Sequence, residues 1–109
     1  MRRGDIVTIA AGGGFGGKPR PALVVQSDGF GSLSTVVVAL FTSMLTEAPA
    51  VRPRFAPDTT NGLRQPSDLM VDILVTVRRD QVGGTIGRLD RDELARADRA
   101  ILTLLGFAE

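Results

Sequence analysis

The feature that most constrains the fold is one capped amphipathic helix at the C-terminal end, preceded only by short runs rich in β-branched residues. Asp90 can cap the helix N-terminus, and Glu93 follows three residues later, which is the spacing of a capping box. Gly106 is well placed to end the helix. Between them, apolar residues recur at helical spacing, namely Leu94, Ala97, Ile101, Leu104 and Leu105.

Before this helix, short apolar runs alternate with glycine, proline and polar turn residues. We predict strands over residues 5–10, 22–26, 35–40, 69–74 and 85–89, with an edge strand at 51–55 inside a long proline-rich connection. Many short strands followed by one terminal helix predict a mostly β fold, a small barrel with an appended helix. The length of 109 residues fits a single domain spanning 1–109.

The composition excludes several kinds of site. The chain has no Cys and no His, so disulfides, thiolate metal sites, histidine metal sites and Ser-His-Asp triads are all absent. The twelve acidic residues are scattered without a recognisable metal-ligand spacing. We therefore expect no metal and no cofactor, and any chemistry must use Arg, Lys, carboxylates, hydroxyls or the backbone.

No apolar stretch is long enough to span a bilayer, and the polar N-terminal residues do not form a signal peptide. The sequence therefore predicts a cytoplasmic protein. The net charge is only +1, so bulk charge does not by itself indicate a nucleic-acid partner.

A glycine-rich segment at 11–17 carries one aromatic residue, Phe15, and leads into the extended segment Lys18-Pro19-Arg20-Pro21. The segment is not a phosphate-binding P-loop, because it lacks the Gly-Lys-Ser/Thr ending and does not open onto a helix. Phe15 has two equally favoured interpretations: it stacks on a nucleic-acid base, or it anchors the loop on the barrel.

Six short motifs, in this order and spacing, resemble the MazF/PemK toxins of bacterial toxin–antitoxin systems. They are Arg3-Gly4-Asp5-Ile6-Val7, Pro19-Arg20-Pro21-Ala22-Leu23-Val24-Val25-Gln26-Ser27-Asp28, Phe41-Thr42-Ser43, Val71-Asp72, Gly87-Arg88-Leu89-Asp90 and Leu105-Gly106. The resemblance covers nearly the whole chain, and the segment around Arg20 is its most specific part.

This resemblance implies an SH3-like β-barrel that forms a homodimer. It also implies a metal-independent, sequence-selective endoribonuclease that cleaves single-stranded RNA, chiefly mRNA, and leaves a 2′,3′-cyclic phosphate. The implied protein partner is a small antitoxin, encoded elsewhere, that blocks the RNA groove.

The family's catalytic positions fall on Arg20, Thr42, Ser43 and Asp72. The fork of Arg20 suits a phosphate clamp and a possible acid, since two phosphate oxygens can be held at once. Thr42 can donate to a phosphate oxygen, and Asp72 is the one candidate base. Each also has a structural interpretation. Arg20 would be a solvated charge at a strand entry that two prolines rigidify, Thr42 and Ser43 a strand end with turn-forming hydroxyls, and Asp72 a solvent-facing or ion-paired residue.

Three further residues are predicted to bind RNA: Phe15 by stacking, and Lys18 and Arg64 by holding backbone phosphates. The sequence also departs from the family. Many relatives carry a titratable or hydroxyl side chain in the first loop, where this chain has Gly13-Gly14-Phe15-Gly16, and the PemK branch has an arginine where this chain has Met70. We therefore predict a slow, or even degenerate, enzyme.

Two alternatives use the same fold. CcdB-type toxins poison DNA gyrase, an activity associated with a C-terminal Trp-Gly-Ile, whereas this chain has no Trp and ends in Leu105-Gly106-Phe107-Ala108-Glu109. The other alternative is an SH3-like binding module without catalysis, which fold alone does not exclude.

Overall fold

A computed structural model describes residues 1–10 and 18–108. It contains six strands and one α-helix: β1 Asp5–Ile9, β2 Arg20–Val24, β3 Thr35–Thr42, β4 Arg54–Phe55, β5 Ser67–Arg78, β6 Val82–Arg88 and α1 Arg91–Leu104. The predicted mostly β class with a C-terminal helix is confirmed.

The six strands form one antiparallel sheet in the order β4-β5-β3-β2-β1-β6. The sheet curls so that β6, at one edge, reaches the segment that follows β4 at the other. There the Arg88 amide donates to the carbonyl of Thr60 at 2.9 Å. At Gly87 a Cβ atom would collide with the backbone of Thr60 and Asn61, so this close approach requires glycine.

Both faces of the sheet are covered by apolar side chains. The first group, here called the helix-side core, is Ile6, Leu23, Ala39, Phe41, Phe55, Leu63, Leu69, Val71, Leu89, Ala97, Ala100 and Ile101. The second, the opposite-face core, is Val7, Ile9, Ala22, Val24, Val36, Val38, Leu40 and Val77. Because side chains alternate along a strand, every second residue of β2 and β3 belongs to the opposite-face core.

The helix is capped as predicted. The Asp90 side chain accepts from the Glu93 amide at 2.8 Å, and the Glu93 side chain accepts from the Asp90 amide at 3.1 Å. Gly106 has a φ of +86°, a conformation that glycine adopts without strain. No helix within the described residues is long and apolar enough to cross a membrane.

Several strand limits differ from the predicted ones. β5 continues to Arg78, because Val75 and Val77 pack on the opposite-face core beyond the predicted end at residue 74. The edge strand shrinks to Arg54–Phe55. β2 begins earlier, at Arg20, and β3 ends later, at Thr42, so both residues lie within strands.

Candidate active site

Strand register brings Arg20 and Thr42 side by side. β2 and β3 pair antiparallel with Ala22 opposite Leu40. Extending that register by two residues, to the start of β2 and the end of β3, aligns Arg20 with Thr42. Both residues share the face of the opposite-face core, since each lies two residues from one of its members.

The row of paired residues that begins with Arg20 and Thr42 continues across the sheet. Thr42 is opposite Asp68 on β5, and Asp68 is in turn opposite Arg54 on β4. The four residues Arg20, Thr42, Asp68 and Arg54 therefore lie on four neighbouring strands, and we call them the cross-sheet row. Paired residues of a sheet project to the same side, so the row presents two guanidinium groups, a hydroxyl and a carboxylate together.

Arg20 is exposed at the first position of β2, opposite Ile9 of β1. The rings of Pro19 and Pro21 fix the backbone torsions on either side and favour extended backbone at Arg20. The guanidinium therefore extends from a rigid strand end into solvent, where it is accessible to a phosphate group.

Thr42 is half-buried, and its hydroxyl oxygen accepts a hydrogen bond from the Met44 amide at 3.1 Å. Because the oxygen is used as an acceptor, the hydroxyl hydrogen is left to donate to another group. A phosphate oxygen held by Arg20 is a suitable acceptor for it. The predicted turn-forming interpretation and the catalytic one are thus compatible at this residue.

Asp68 is fully buried, with a side chain of 0% exposure, and each of its oxygens is bound. Arg54 Nε donates to Oδ1 at 2.8 Å, and the Thr46 amide donates to Oδ2 at 2.9 Å. The Arg54 side chain is 43% exposed and also donates through Nη2 to the Thr46 carbonyl at 2.7 Å. Asp68 thereby ties β4 and the 43–53 connection to the row.

The hydrogen bond from Arg54 holds the pKa of Asp68 below its usual range, with the Thr46 amide adding to the effect and burial opposing it. A carboxylate whose pKa is lower in the folded state stabilises the fold above its unfolded pKa of about 4. That contribution is lost as the pH falls towards the folded pKa.

We therefore expect the free energy of unfolding to fall as the pH is lowered from about 5 to 2, and Asp68→Asn to flatten this dependence. Urea titrations at several pH values measure it. Asp80→Asn is the matched control, because Asp80 also forms an ion pair with an arginine but its side chain is 73% exposed. Equal slopes for wild type and Asp68→Asn would contradict the assignment.

Asp72 lies outside the cross-sheet row. Between the pairs Ala39–Leu74 and Phe41–Leu69, β3 advances by two residues while β5 advances by five, so β5 bulges around Asp72. Both Asp72 oxygens accept from Arg52, from Nε and Nη2, each at 3.1 Å. This hydrogen bonding holds the pKa of Asp72 below its usual range. Asp72 is therefore an ion-paired carboxylate, ionised at neutral pH and weakly basic.

The remaining predicted residues are not joined to the row by any described contact. Ser43 is exposed directly after β3, Lys18 is exposed two residues before β2, and Arg64 is exposed in the connection before β5. Phe15 lies outside the described residues, so its role stays a prediction.

Sequence reasoning missed Arg54, Asp68 and Arg52. Arg54 and Asp68 are 14 residues apart, and Arg52 and Asp72 are 20 apart. Neither spacing has a local signature, because both pairs form only through the register of β5 and its bulge. Position 70 is Met, and the arginine that contacts Asp72 is Arg52, which approaches from the connection before β4.

The two arginines at the ends of the row, Arg20 and Arg54, are exposed, whereas Asp68 between them is buried. A surface cavity of about 740 Å³ touches the row at Arg54. An exposed arginine beside a hydroxyl fits an extended polymer better than an enclosed small molecule. Among residues 1–10 and 18–108, no three acidic side chains form a group that could hold a metal ion.

Comparisons with known proteins identify the family of the chain. The family model described as PemK-like, MazF-like toxin of type II toxin-antitoxin system matches residues 2–105. The chain is 45% identical over 108 residues to a probable endoribonuclease MazF of Mycolicibacterium smegmatis, covering 99% of each chain. It is 31% identical over 90 residues to endoribonuclease MazF6 of Mycobacterium tuberculosis, covering 81% of this chain and 79% of the relative.

Solved structures share the fold. The Mycobacterium tuberculosis toxin MazF-mt6 superposes with a TM-score of 0.80 at 24% identity, covering 96% of this chain and 99% of that one. A mycobacterial endoribonuclease in complex with its cognate antitoxin superposes with a TM-score of 0.80 at 19% identity, covering 100% and 98%.

Proposed function

Because the chain belongs to the PemK-like, MazF-like toxins of type II toxin–antitoxin systems, we propose that it is a toxin endoribonuclease that cleaves single-stranded RNA. The observation that carries this proposal is the alignment of exposed Arg20 with Thr42 on one face of the sheet. The expected reaction is metal-independent, sequence-selective and directed chiefly at mRNA. It leaves a 2′,3′-cyclic phosphate.

In the proposed reaction the 2′-oxygen attacks the neighbouring phosphorus, a bond to that oxygen forms, and the bond to the 5′-oxygen breaks. Negative charge builds on the non-bridging oxygens of the phosphorane. Arg20 holds two of these oxygens through its fork, and the Thr42 hydroxyl donates to one of them. Arg20 also supplies the proton that the departing 5′-oxygen needs. Ser43, adjacent to Thr42, is a second hydroxyl donor in the proposal.

Asp72, the acid that the family resemblance supplies, is the proposed base for the 2′-hydroxyl proton. It lies in the β5 bulge outside the cross-sheet row and is paired with Arg52, so the proposal requires the bound RNA to bring its 2′-hydroxyl to Asp72. Its lowered pKa keeps it ionised at neutral pH but reduces its affinity for the proton. A base whose pKa lies far below the working pH contributes less to the rate than a well-matched one. The assignment therefore predicts a slow enzyme, in which charge stabilisation by Arg20 supplies most of the rate enhancement.

A pH–rate profile tests the role of Asp72. Arg52→Ala removes the group that lowers the pKa of Asp72, so the acid limb of kcat should move to higher pH, towards about 4. Asp72→Asn should lower kcat by about 10²-fold. Arg78→Ala serves as the control, since Arg78 pairs with Asp80 at the far end of β5. An unmoved acid limb in Arg52→Ala would remove Asp72 from the reaction.

The wider proposal includes a cytoplasmic location, because mRNA is the main substrate, and a small antitoxin encoded elsewhere as the protein partner. It also includes a homodimer and a single domain over residues 1–109. The family match over residues 2–105 supports the single domain.

The proposed activity is tested by incubating the purified protein with long single-stranded RNA in excess chelator. We expect discrete fragments from single-stranded RNA and none from duplex RNA or from DNA of the same sequence. A requirement for added metal would contradict the proposal. So would the absence of cleavage together with inhibition of DNA gyrase, which would favour the gyrase-poison alternative.

A further inference from the structure

We propose that Arg54 determines part of the target sequence, by donating to a base that offers two adjacent hydrogen-bond acceptors, cytosine or guanine. This inference rests on the proposed RNA cleavage and adds to it a residue that reads sequence.

Arg54 occupies the β4 end of the cross-sheet row, on the same face as Arg20 and Thr42. Three strand spacings separate it from Arg20, which amounts to roughly 14 Å at about 4.8 Å per spacing. An RNA strand whose scissile phosphate lies at Arg20 and Thr42 therefore has a neighbouring nucleotide within reach of Arg54. The distance is too great for Arg54 to hold the same phosphate.

The guanidinium of Arg54 is fixed on one side. Nε donates to Asp68 Oδ1 at 2.8 Å, while Nη2 donates to the Thr46 carbonyl at 2.7 Å and to Asp68 Oδ2 at 3.4 Å. Asp68 is fully buried and is itself held by the Thr46 amide at 2.9 Å. The Nε–Nη2 side of the guanidinium is thus occupied, and the remaining nitrogen, Nη1, has a set orientation before any RNA binds, which limits the entropy lost on recognition.

Arg54 can still donate hydrogen bonds in a fixed direction, although its net charge is small. Its positive charge is balanced by Asp68, so its attraction for a phosphate is reduced. Within the described residues Nη1 has no hydrogen-bond partner, and the side chain is 43% exposed. The two N–H bonds of this single nitrogen, with little net charge, are suited to a neutral base edge, as single-stranded RNA exposes.

The four bases differ in whether they offer two adjacent hydrogen-bond acceptors. Guanine presents O6 and N7 as adjacent acceptors, and cytosine in a single strand presents O2 and N3. Adenine and uracil place a donor beside each acceptor on the corresponding edges. Arg54 should therefore favour cytosine or guanine over uracil or adenine at one position of the target, by about 5- to 150-fold.

Binding selection tests this independently of cleavage. A random-sequence RNA library with 2′-O-methyl sugars cannot be cyclised, so it reports recognition alone. Wild type should enrich cytosine or guanine at one fixed position, and Arg54→Ala should lose that preference while keeping the others. Arg54→Lys, which retains the charge but not the planar group that Asp68 and Thr46 hold in place, should lose it as well. Arg78→Ala is the matched control, because its arginine lies at the other end of β5.

Single-atom substitutions in the RNA identify the base. If the enriched base is guanine, 7-deazaguanosine should weaken wild-type binding and leave Arg54→Ala unaffected. If it is cytosine, 3-deazacytidine should do the same. An unchanged base preference in Arg54→Ala would overturn the proposal. A uniform loss of affinity for all sequences, together with a smaller salt dependence of binding, would also overturn it, because it would make Arg54 a phosphate contact.

The two proposals fail in different ways. If wild type binds the library with the predicted preference but never cuts unmodified RNA, the cleavage proposal fails and the role of Arg54 in recognition stands. If wild type cuts RNA but Arg54→Ala cuts at the same sequences with the same relative rates, only the role of Arg54 is overturned.

Discussion

Replacing Arg20 with alanine should lower kcat for RNA cleavage by about 10²–10³-fold, the loss typical of removing a donor that stabilises transition-state charge. Arg20 is exposed at the start of β2 and is held extended between two prolines. Its interaction strengthens as the phosphorane gains charge, so the effect should appear in kcat more than in KM. Single-turnover cleavage of a defined oligonucleotide measures it.

The same variant should fold normally. Exposed surface substitutions usually change the free energy of unfolding by less than about 0.5 kcal/mol. Arg20→Lys should retain part of the activity, since it keeps the charge but loses the fork. Arg91→Ala, which removes an exposed arginine from the helix N-terminus, is the matched control and should cut at the wild-type rate. Equal rates for Arg20→Ala and Arg91→Ala would remove Arg20 from the site.

Replacing Phe55 with alanine should cost about 3–5 kcal/mol of folding free energy, the range seen for truncating a buried phenylalanine. Phe55 is 1% exposed, and its ring lies edge-on to Phe41 with centroids 6.3 Å apart. The Arg96 guanidinium lies 4.5 Å from the Phe55 centroid, which adds a cation–π contact. These contacts anchor the two-residue strand β4 to β3 and to the helix.

Denaturant unfolding measures this cost, and Phe30→Ala is the control because Phe30 is 57% exposed in a short turn. Phe30→Ala should change the free energy of unfolding by less than about 0.5 kcal/mol. A cost below about 1 kcal/mol for Phe55→Ala would mean that β4 does not depend on this anchor. In that case the fixed orientation of Arg54 would need another explanation.

The elements specified by local chemistry were predictable from the sequence. The helix could be predicted because Asp90, Glu93 and Gly106 act within a few residues of their own positions. Most strands could be predicted because β-branched runs between turn residues have few other stable arrangements. Arg20 and Thr42 were identified as site residues through short motifs, and the register of β2 and β3 is consistent with both acting on one phosphate.

The rest of the candidate site depends on long-range geometry. The bulge in β5 adds three residues opposite β3, and no turn signal or glycine in that stretch announces it. The bulge determines which acidic residue reaches the row, so Asp68 lies beside Thr42 and Asp72 does not. The partners of the two carboxylates come from the 43–53 connection and from β4, whose paths are set by Phe55 and by the Asp68 contacts. Pairings of this kind cannot be read from spacing.

The family match favours RNA cleavage over gyrase inhibition or simple binding, and it leaves the chemistry of the cut as the central claim. That claim is that Arg20 and Thr42 stabilise attack by the 2′-oxygen without a metal. Identifying the 3′ end of the upstream fragment, formed in excess chelator, tests it most directly. We predict a 2′,3′-cyclic phosphate from wild type and no product when the cleaved nucleotide carries a 2′-deoxy sugar. A 3′-hydroxyl end, or cleavage of the 2′-deoxy substrate, would contradict it.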